Sequence, residues 1–204
     1  MERLKQNLHL IAVPRNLYAI LDACLAADLI LFVLSAEEEV DEFGYLIMSC
    51  IKTQGVVPTL SCVQHLETVS SPKQQSETRK SLSIFMDHHF PGSEHKLCSI
   101  GNGGEVLTLV RQLTDKTVKG VAWRDKYSRV VAEHIDFDEN SQCLKVTGYV
   151  RGMPLSANRL VHLPGSGAHQ IKQVSTLSSI SFLLSLVTDH LRRSHRVRCI
   201  LVAL

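Results

Sequence analysis

The stretch "DLILFVL", residues 28–34, constrains the fold more than any other in this chain of 204 residues. Six apolar residues follow one another without alternation, and the run is too short for a helix. A strand that is apolar toward both sides must be covered on both faces, as in a parallel sheet sandwiched between helices. The flanking sequence supplies such helices. Leu17, Ile20, Leu21, Cys24 and Leu25 recur at helical spacing. So do Phe43, Leu46, Ile47, Cys50 and Ile51 in "DEFGYLIMSCIKTQG", where Gly55 is the natural stop. Strands are expected at residues 9–13 ("HLIAV"), in "PTLSCVQ" and in "HKLCSI". Ser71 as cap and Pro72 at the first position begin a long helix with Leu82, Phe85 and Met86 inward, ending at Pro91-Gly92. Val106, Leu107, Val110 and Leu113 mark another. Strand and helix thus alternate four times over residues 8–114, which predicts an α/β unit with parallel strands. In such sheets ligands lie beyond the carboxyl ends of the strands, here the turns at Val13, Ser35, Gln64 and Ile100.

After about residue 119 the period changes from helical to two. "YSRVVAEHIDF" and "CLKVTGYVRG" alternate apolar with polar residues around the turn "DENSQ", and glycines at 148, 152, 165 and 167 punctuate this region. These are expected to be the opening strands of an incomplete antiparallel barrel. The sequence therefore divides into an α/β part (1–116), a partial β-barrel (117–174) and a divergent tail (175–204). In the tail the apolar cluster Ile180, Phe182, Leu183, Leu184, Leu186 and Val187 precedes a basic stretch. That pattern suits a helix or an ill-packed segment better than a strand, so the α/β part, to about residue 115, is expected to be the stable unit.

The net charge of +2 is too small to specify a nucleic-acid partner, but local clusters are basic: 79–80, 124–129 and 192–198. The six cysteines contain no C-x-x-C pair, so they are expected to pack as buried, reduced thiols and not to hold a metal. The apolar run at 180–187 falls far short of the roughly 20 residues that cross a bilayer, so a soluble chain with no membrane partner is expected.

The phrases "TRKSLSIFMDHHFP", "LVRQL", "VAWRDKYSRVVAEHIDF" and "VTGYVRGMPLSANRLVHLPGSGAHQIKQV" are similar to those of the eukaryotic pre-rRNA-processing GTPase-like factors of small-ribosomal-subunit maturation, in particular the group named for twenty-S rRNA accumulation. The similarity covers roughly residues 8–174. It implies a translational-GTPase-like α/β domain followed by a barrel, and a nucleolar or nuclear location extending to the cytoplasm. The partners it implies are pre-small-subunit particles, pre-rRNA and assembly factors. The nucleotide motifs of that superfamily can be compared position by position. No G-x-x-x-x-G-K-[ST] is present. Ala12 and Arg15 stand where D-x-x-G has its aspartate and glycine, so a magnesium contact and a γ-phosphate sensor are both lost. Gln64, His65 and Glu67 stand in the guanine-reading N-K-x-D, and Ser99 is what remains of the last guanine loop. The extra methylene of Glu67 moves its carboxylate by more than a bond length, which hydrogen-bond readout tolerates poorly. No catalytic residue, cofactor or small-molecule substrate is expected.

Other constellations have plainer explanations. Glu37, Glu38 and Glu39 precede a helix whose dipole favours them. His88, His89 and His95 superficially suggest a metal site, yet adjacent histidines diverge on a helix, and no metal site is expected. Ser35 lacks a nucleophile elbow, and the glycines at 101, 103 and 104 lack a following lysine. The basic residues carry more weight. Arg79, Lys80, Arg124, Lys126 and Arg129, with Trp123 and Tyr127 nearby, and Arg151 and Arg159 in glycine-punctuated turns, are candidate contacts to RNA or the ribosome. The resulting expectation is a non-catalytic GTPase-like scaffold that binds pre-small-subunit particles and supports 18S rRNA maturation. An active or weakly GTP-binding ribosome-assembly GTPase of the same superfamily and an unrelated flavodoxin-like enzyme stay open as alternatives.

Overall fold

The computed structural model describes residues 7–55, 58–91, 97–115, 124–175 and 196–203. Trp123, His95 and the apolar cluster at 180–187 lie outside them. The chain divides into two units, residues 1–121 together with 195–204, and residues 122–194. The second unit is thus an insertion in the sequence of the first.

The first unit is a parallel sheet with helices. Its strands are β1 (Asn7–Ala12), β2 (Leu29–Ser35), β3 (Thr59–Gln64) and β4 (Cys98–Ser99). The helices are α1 (Leu17–Ala26), α2 (Glu42–Gln54), α3 (Pro72–His89) and α4 (Gly103–Asp115). Side-chain caps start α1 and α2, whereas Ser71, expected to cap α3, makes no such hydrogen bond and only Pro72 at the first position stands as read. Asn16 accepts from the Ala19 N–H at the start of α1, and Asp41 from the Gly44 N–H at the start of α2.

The double burial of β2 organises this unit. Ile30, Phe32 and Leu34 point to one side, into a core built with Ile20 and Cys24 of α1, Ile47, Met48 and Ile51 of α2 and Met86 of α3. Leu29 and Leu31 point to the other, against Leu60, Cys62, Cys98 and, from α4, Leu109 and Leu113. Phe32 stacks on Phe90 with centroids 5.0 Å apart. Cys62 and Cys98 face each other on neighbouring strands, and burial together with Cys98 pushes the Cys62 thiol up to about 12, so it packs as an inert hydrophobe.

A fifth strand departs from the sequence reading, which set residues 175–204 apart as a tail. Residues Arg196–Ala203 form β9, and the sheet order is β1-β9-β2-β3-β4. Both neighbours run parallel to it: Ile200 is in register with Ile11 on β1 and with Ile30 on β2. The crossover from β1 through α1 to β2 skips one strand position, and the segment from the far end of the chain fills it. The apolar run "CILVA" suits a strand with neighbours on both sides, but its parallel partners lie almost the whole chain away, beyond the reach of any local pattern.

The second unit contains two antiparallel pairs, β5 (Arg129–Asp138) with β6 (Cys143–Arg151) and β7 (Leu160–Leu163) with β8 (Gly167–Gln170). Among the described residues these remain separate two-stranded sheets. The register of β5 and β6 shifts between Ala132 and His134, leaving Glu133 as the extra residue of a bulge. That extra residue restores the phase: Val130, Ala132, Ile135 and Phe137 share one face with Val150, Gly148, Val146 and Leu144. A Cβ on Gly148 would sit 2.1 Å from the Val131 carbonyl oxygen, so only glycine fits opposite the bulge.

Two outcomes are expected. Phe32→Ala should destabilise the first unit by about 3–5 kcal/mol in urea denaturation, because it removes a fully buried ring. Ile200→Pro should lower hydrogen-exchange protection on both β1 and β2, since a proline inside a central strand interrupts the ladder. Unchanged protection there would show that β9 does not hold the sheet together.

Candidate functional site

The carboxyl ends of the parallel strands carry every position at which the sequence suggested degenerate nucleotide chemistry. Ala12 ends β1 and pairs in register with Leu201 of β9. Its methyl group offers nothing to a metal. Arg15, three residues on, forms an ion pair with Asp41 and lies over the Phe43 ring, 5.2 Å from its centroid. The guanidinium and the Gly44 N–H hold the Asp41 carboxyl below its ordinary range. Arg15 therefore fastens the turn after β1 to the start of α2.

At the end of β3, Gln64 is in register with Ser35, and its carbonyl accepts from the Ala36 N–H at 3.0 Å. His65 adopts a left-handed backbone conformation (φ 59°, ψ 22°). Its Nδ1 lies 3.5 Å from Ser35 Oγ and 3.8 Å from Glu37 Oε2. Serine, histidine and glutamate are thus close together, but the hydroxyl and the carboxylate approach the same ring nitrogen. A proton relay needs them on opposite nitrogens. Ser35 Oγ also accepts from the N–H groups of Glu37 and Glu38, at 3.2 and 3.3 Å, so it acts as the cap of that turn.

Glu67 bends over the loop after β4. A Cβ built on Gly101 would meet its carboxylate at 2.4–2.9 Å, so the carboxyl group rests directly on that glycine. Ser99 is buried, and its N–H donates to Glu105 Oε2 at 2.7 Å. The Ile100 N–H donates to the Val63 carbonyl at 3.0 Å. Arg79 Nη2 donates to the other oxygen of Glu105 at 2.8 Å. The guanidinium, followed by the Ser99 N–H, holds the Glu105 carboxyl below its ordinary range. One carboxylate thereby ties α3, α4 and the end of β4. The structure thus brings Gln64, His65, Glu67 and Ser99 to one rim of the sheet, where the Gln64 carbonyl and the Ser99 N–H are bonded within the protein.

The basic candidates are distributed differently. Arg79 is half-buried in its pair with Glu105, and Lys80 beside it is exposed. The others belong to the second unit. Arg124 is buried at 4% exposure in a short 3-10 turn, and its carbonyl accepts from Arg129 Nη2 at 2.8 Å. Lys126 in the same turn and Arg159 before β7 are exposed. Arg129 and Arg151 are directly opposite each other across β5 and β6. At the end of α3, His89 Nδ1 lies 3.0 Å from Lys52 Nζ and its ring 4.7 Å from Phe85. Burial, then Lys52 and His88, lower its pKa. Sequence reasoning missed Asp41 and Glu105, and it weighed Gly101 only as part of a phosphate loop and not as the seat of Glu67. Their signal would have been their positions beside loops that looked functional.

A parallel sheet with helices on both sides fits the architecture of a G-like domain. A family model described as the Tsr1 G-like domain matches residues 1–115, and one described as the AARP2CN (NUC121) domain matches residues 117–180. The chain belongs to the Tsr1 family. It is 37% identical over 174 residues to the Ribosome biogenesis protein tsr1 of Schizosaccharomyces pombe, covering 85% of this chain and 22% of the relative. It is 36% identical over 168 residues to the Pre-rRNA-processing protein TSR1 homolog of Homo sapiens, covering 80% and 20%. The homolog of Dictyostelium discoideum is 24% identical over 159 residues, covering 78% and 19%. The chain spans about a fifth of the length of these relatives.

The Arg79–Glu105 contact sets a pH dependence. A carboxyl held below its unfolded value stabilises the fold at pH above that value, and the contribution disappears as pH falls through the folded one. Arg79→Met should therefore lower the urea midpoint at pH 7. The gap from the parent chain should narrow below about pH 4.5, the ordinary value for this group. A gap independent of pH would mean that the pair contributes by packing alone.

Proposed function

We propose that this chain is a non-catalytic, GTPase-like scaffold that binds pre-small-subunit ribosomal particles, with their pre-rRNA and assembly factors, and supports 18S rRNA maturation. The observation that carries the reading is that several backbone and charged groups of the strand-end rim are already engaged within the protein. Glu105 takes the Ser99 N–H, Val63 takes the Ile100 N–H, Asp41 takes Arg15, and Glu67 lies on Gly101. A purine nucleotide needs free hydrogen-bonding groups for its base and a cradle of N–H groups for its phosphates; on this rim the N–H groups of Ser99 and Ile100 already have partners. The relatives, a ribosome biogenesis protein and pre-rRNA-processing proteins by name, supply the biological setting. That setting implies a nucleolar and nuclear location.

The second unit fits the same proposal as the opening of a translation-factor-type barrel. The apolar face shared by β5 and β6 is what the inside of a barrel requires, and an isolated two-stranded sheet is marginal in water. With its own nucleotide chemistry gone, such a factor acts through shape and charge, occupying a surface that a translational GTPase uses later.

The test is titration with a fluorescent GTP analogue. Binding no tighter than about 1 mM, roughly 4 kcal/mol, is expected, with no hydrolysis above background. Restoring Ala12→Asp and Arg15→Gly should not create binding, since the phosphate cradle is still missing. A micromolar dissociation constant competed by GTP and not by ATP would overturn the reading in favour of an active family member. Co-sedimentation of the full chain with precursor small subunits tests the scaffold role itself.

A further inference from the structure

Three helices of the first unit begin with a side chain that accepts from their own first turn: Asn16 before α1, Asp41 before α2 and Asn102 before α4. Ser71 stands in the same place before α3, and its side chain makes no such bond. Its neighbour sets its backbone. Proline crowds the residue before it out of the helical region, and Ser71 is accordingly extended, at φ −116° and ψ 131°. Extended backbone is also what a protein kinase groove accepts at the residue it phosphorylates.

The sequence at this hydroxyl occurs once in the chain. Of the six prolines, Pro72 alone follows a serine or threonine; the others follow Val13, Val57, Phe90, Met153 and Leu163. A hydroxyl residue followed by proline is what proline-directed kinases select. Proline leaves no N–H unpaired in a groove that offers no acceptor at that position, whereas any other residue forfeits a hydrogen bond there. The segment is open to such a partner. Ser70, Pro72, Lys73 and Gln74 are exposed, and Ser71 is half-buried. The buried residue of α3 is Met86, far along the helix, so the first turn can unwind without uncovering the core.

The same turn has room for the product. The first N–H groups of a helix have no intrahelical acceptor. That of Gln75 reaches the Ser71 carbonyl at 2.9 Å, Pro72 has none, and those of Lys73 and Gln74 are left to a cap. α2 and α4 carry Glu42 and Glu105 in their first turns, whereas the first turn of α3 has no acidic residue. A phosphate on Ser71 therefore meets the positive end of an 18-residue helix, with Lys73 in that turn and no carboxylate there to repel it.

We propose that Ser71 is a phosphorylation site for a proline-directed protein serine kinase, and that its phosphate caps α3. In the transfer the Ser71 Oγ–P bond forms as the bond from the γ-phosphorus of ATP to the bridging oxygen breaks. ADP leaves, and the hydroxyl proton passes to the catalytic base of the kinase. The site is independent of the scaffold reading, since it requires neither RNA nor a ribosomal particle.

The experiment treats the folded full chain with a purified cyclin-dependent kinase, magnesium and ATP, beside a synthetic peptide of residues 66–77. Tandem mass spectrometry locates the phosphate. Ser71 should be modified in both, the chain at a rate within about tenfold of the peptide, because a helix end frays at little cost. Pro72→Ala should slow the chain about tenfold, the cost of one unmade hydrogen bond in the groove. Ser71→Ala should abolish the modification. In the phosphorylated chain the Lys73 and Gln74 amides should exchange hydrogen about fivefold more slowly, as behind any helix cap. Circular dichroism shows that both variants are folded. A peptide that is modified while the folded chain is not would mean that the fold closes the site, and the proposal would be overturned. Phosphate on Ser70 instead, a rate indifferent to Pro72→Ala, or no phosphate on either substrate would overturn it equally. Unchanged exchange at Lys73 and Gln74 would remove the capping role. None of these results bears on co-sedimentation with precursor subunits, which tests the scaffold reading separately.

Discussion

A strand that is apolar toward both sides cannot rest on water with either, and β2 imposes that condition on everything around it. Ile30, Phe32 and Leu34 demand one helical layer, Leu29 and Leu31 another, and the backbone of a buried strand demands a partner on each edge. β3 satisfies one edge. The other is satisfied by β9, from the opposite end of the sequence. At about 25 cal/mol per Å² of apolar area removed from water, large buried side chains such as Phe32, Ile30 and Leu34 contribute roughly 1.5–3 kcal/mol each, and none of this is retained if a covering layer is missing. The strand-end loops inherit their positions from this arrangement.

In the strand-end loops, charged side chains turn to the protein itself. Arg15 turns to Asp41 and Phe43, and Glu67 folds onto Gly101. Glu105 takes a backbone N–H that would otherwise be an unsatisfied buried donor. A hydrogen bond made internally removes the driving force for the one made to a ligand, so the rim becomes part of the stability of the first unit.

Much of the fold was legible in local periodicity. The helical spacing from Leu17 to Leu25, the glycine stop of α2, the proline at the start of α3 and the two alternating strands around "DENSQ" all appear where their patterns put them. What could not be read was anything that depends on a distant partner. The choice of Asp41 by Arg15, and of Glu105 by Arg79, is made by packing across 26 residues in each case. The bulge at Glu133 is invisible to a strict period-two reading, although Ile135 and Phe137 join the apolar face only because of it. β9 is the extreme case, since its partners are separated from it by nearly the whole chain.

The order of the strands in space differs from their order of synthesis. A ribosome that has made α4 must still add roughly eighty residues before β9 emerges, and at about 5–20 residues per second this takes on the order of 4–16 s. During that interval β1 and β2 have no backbone partner in the slot between them, a pair of parallel edges with unmatched amides. Closing that slot joins residues almost two hundred apart, a contact of high order that folds slowly and late. Filling of the slot between β1 and β2 therefore waits until the segment 196–203 has been made.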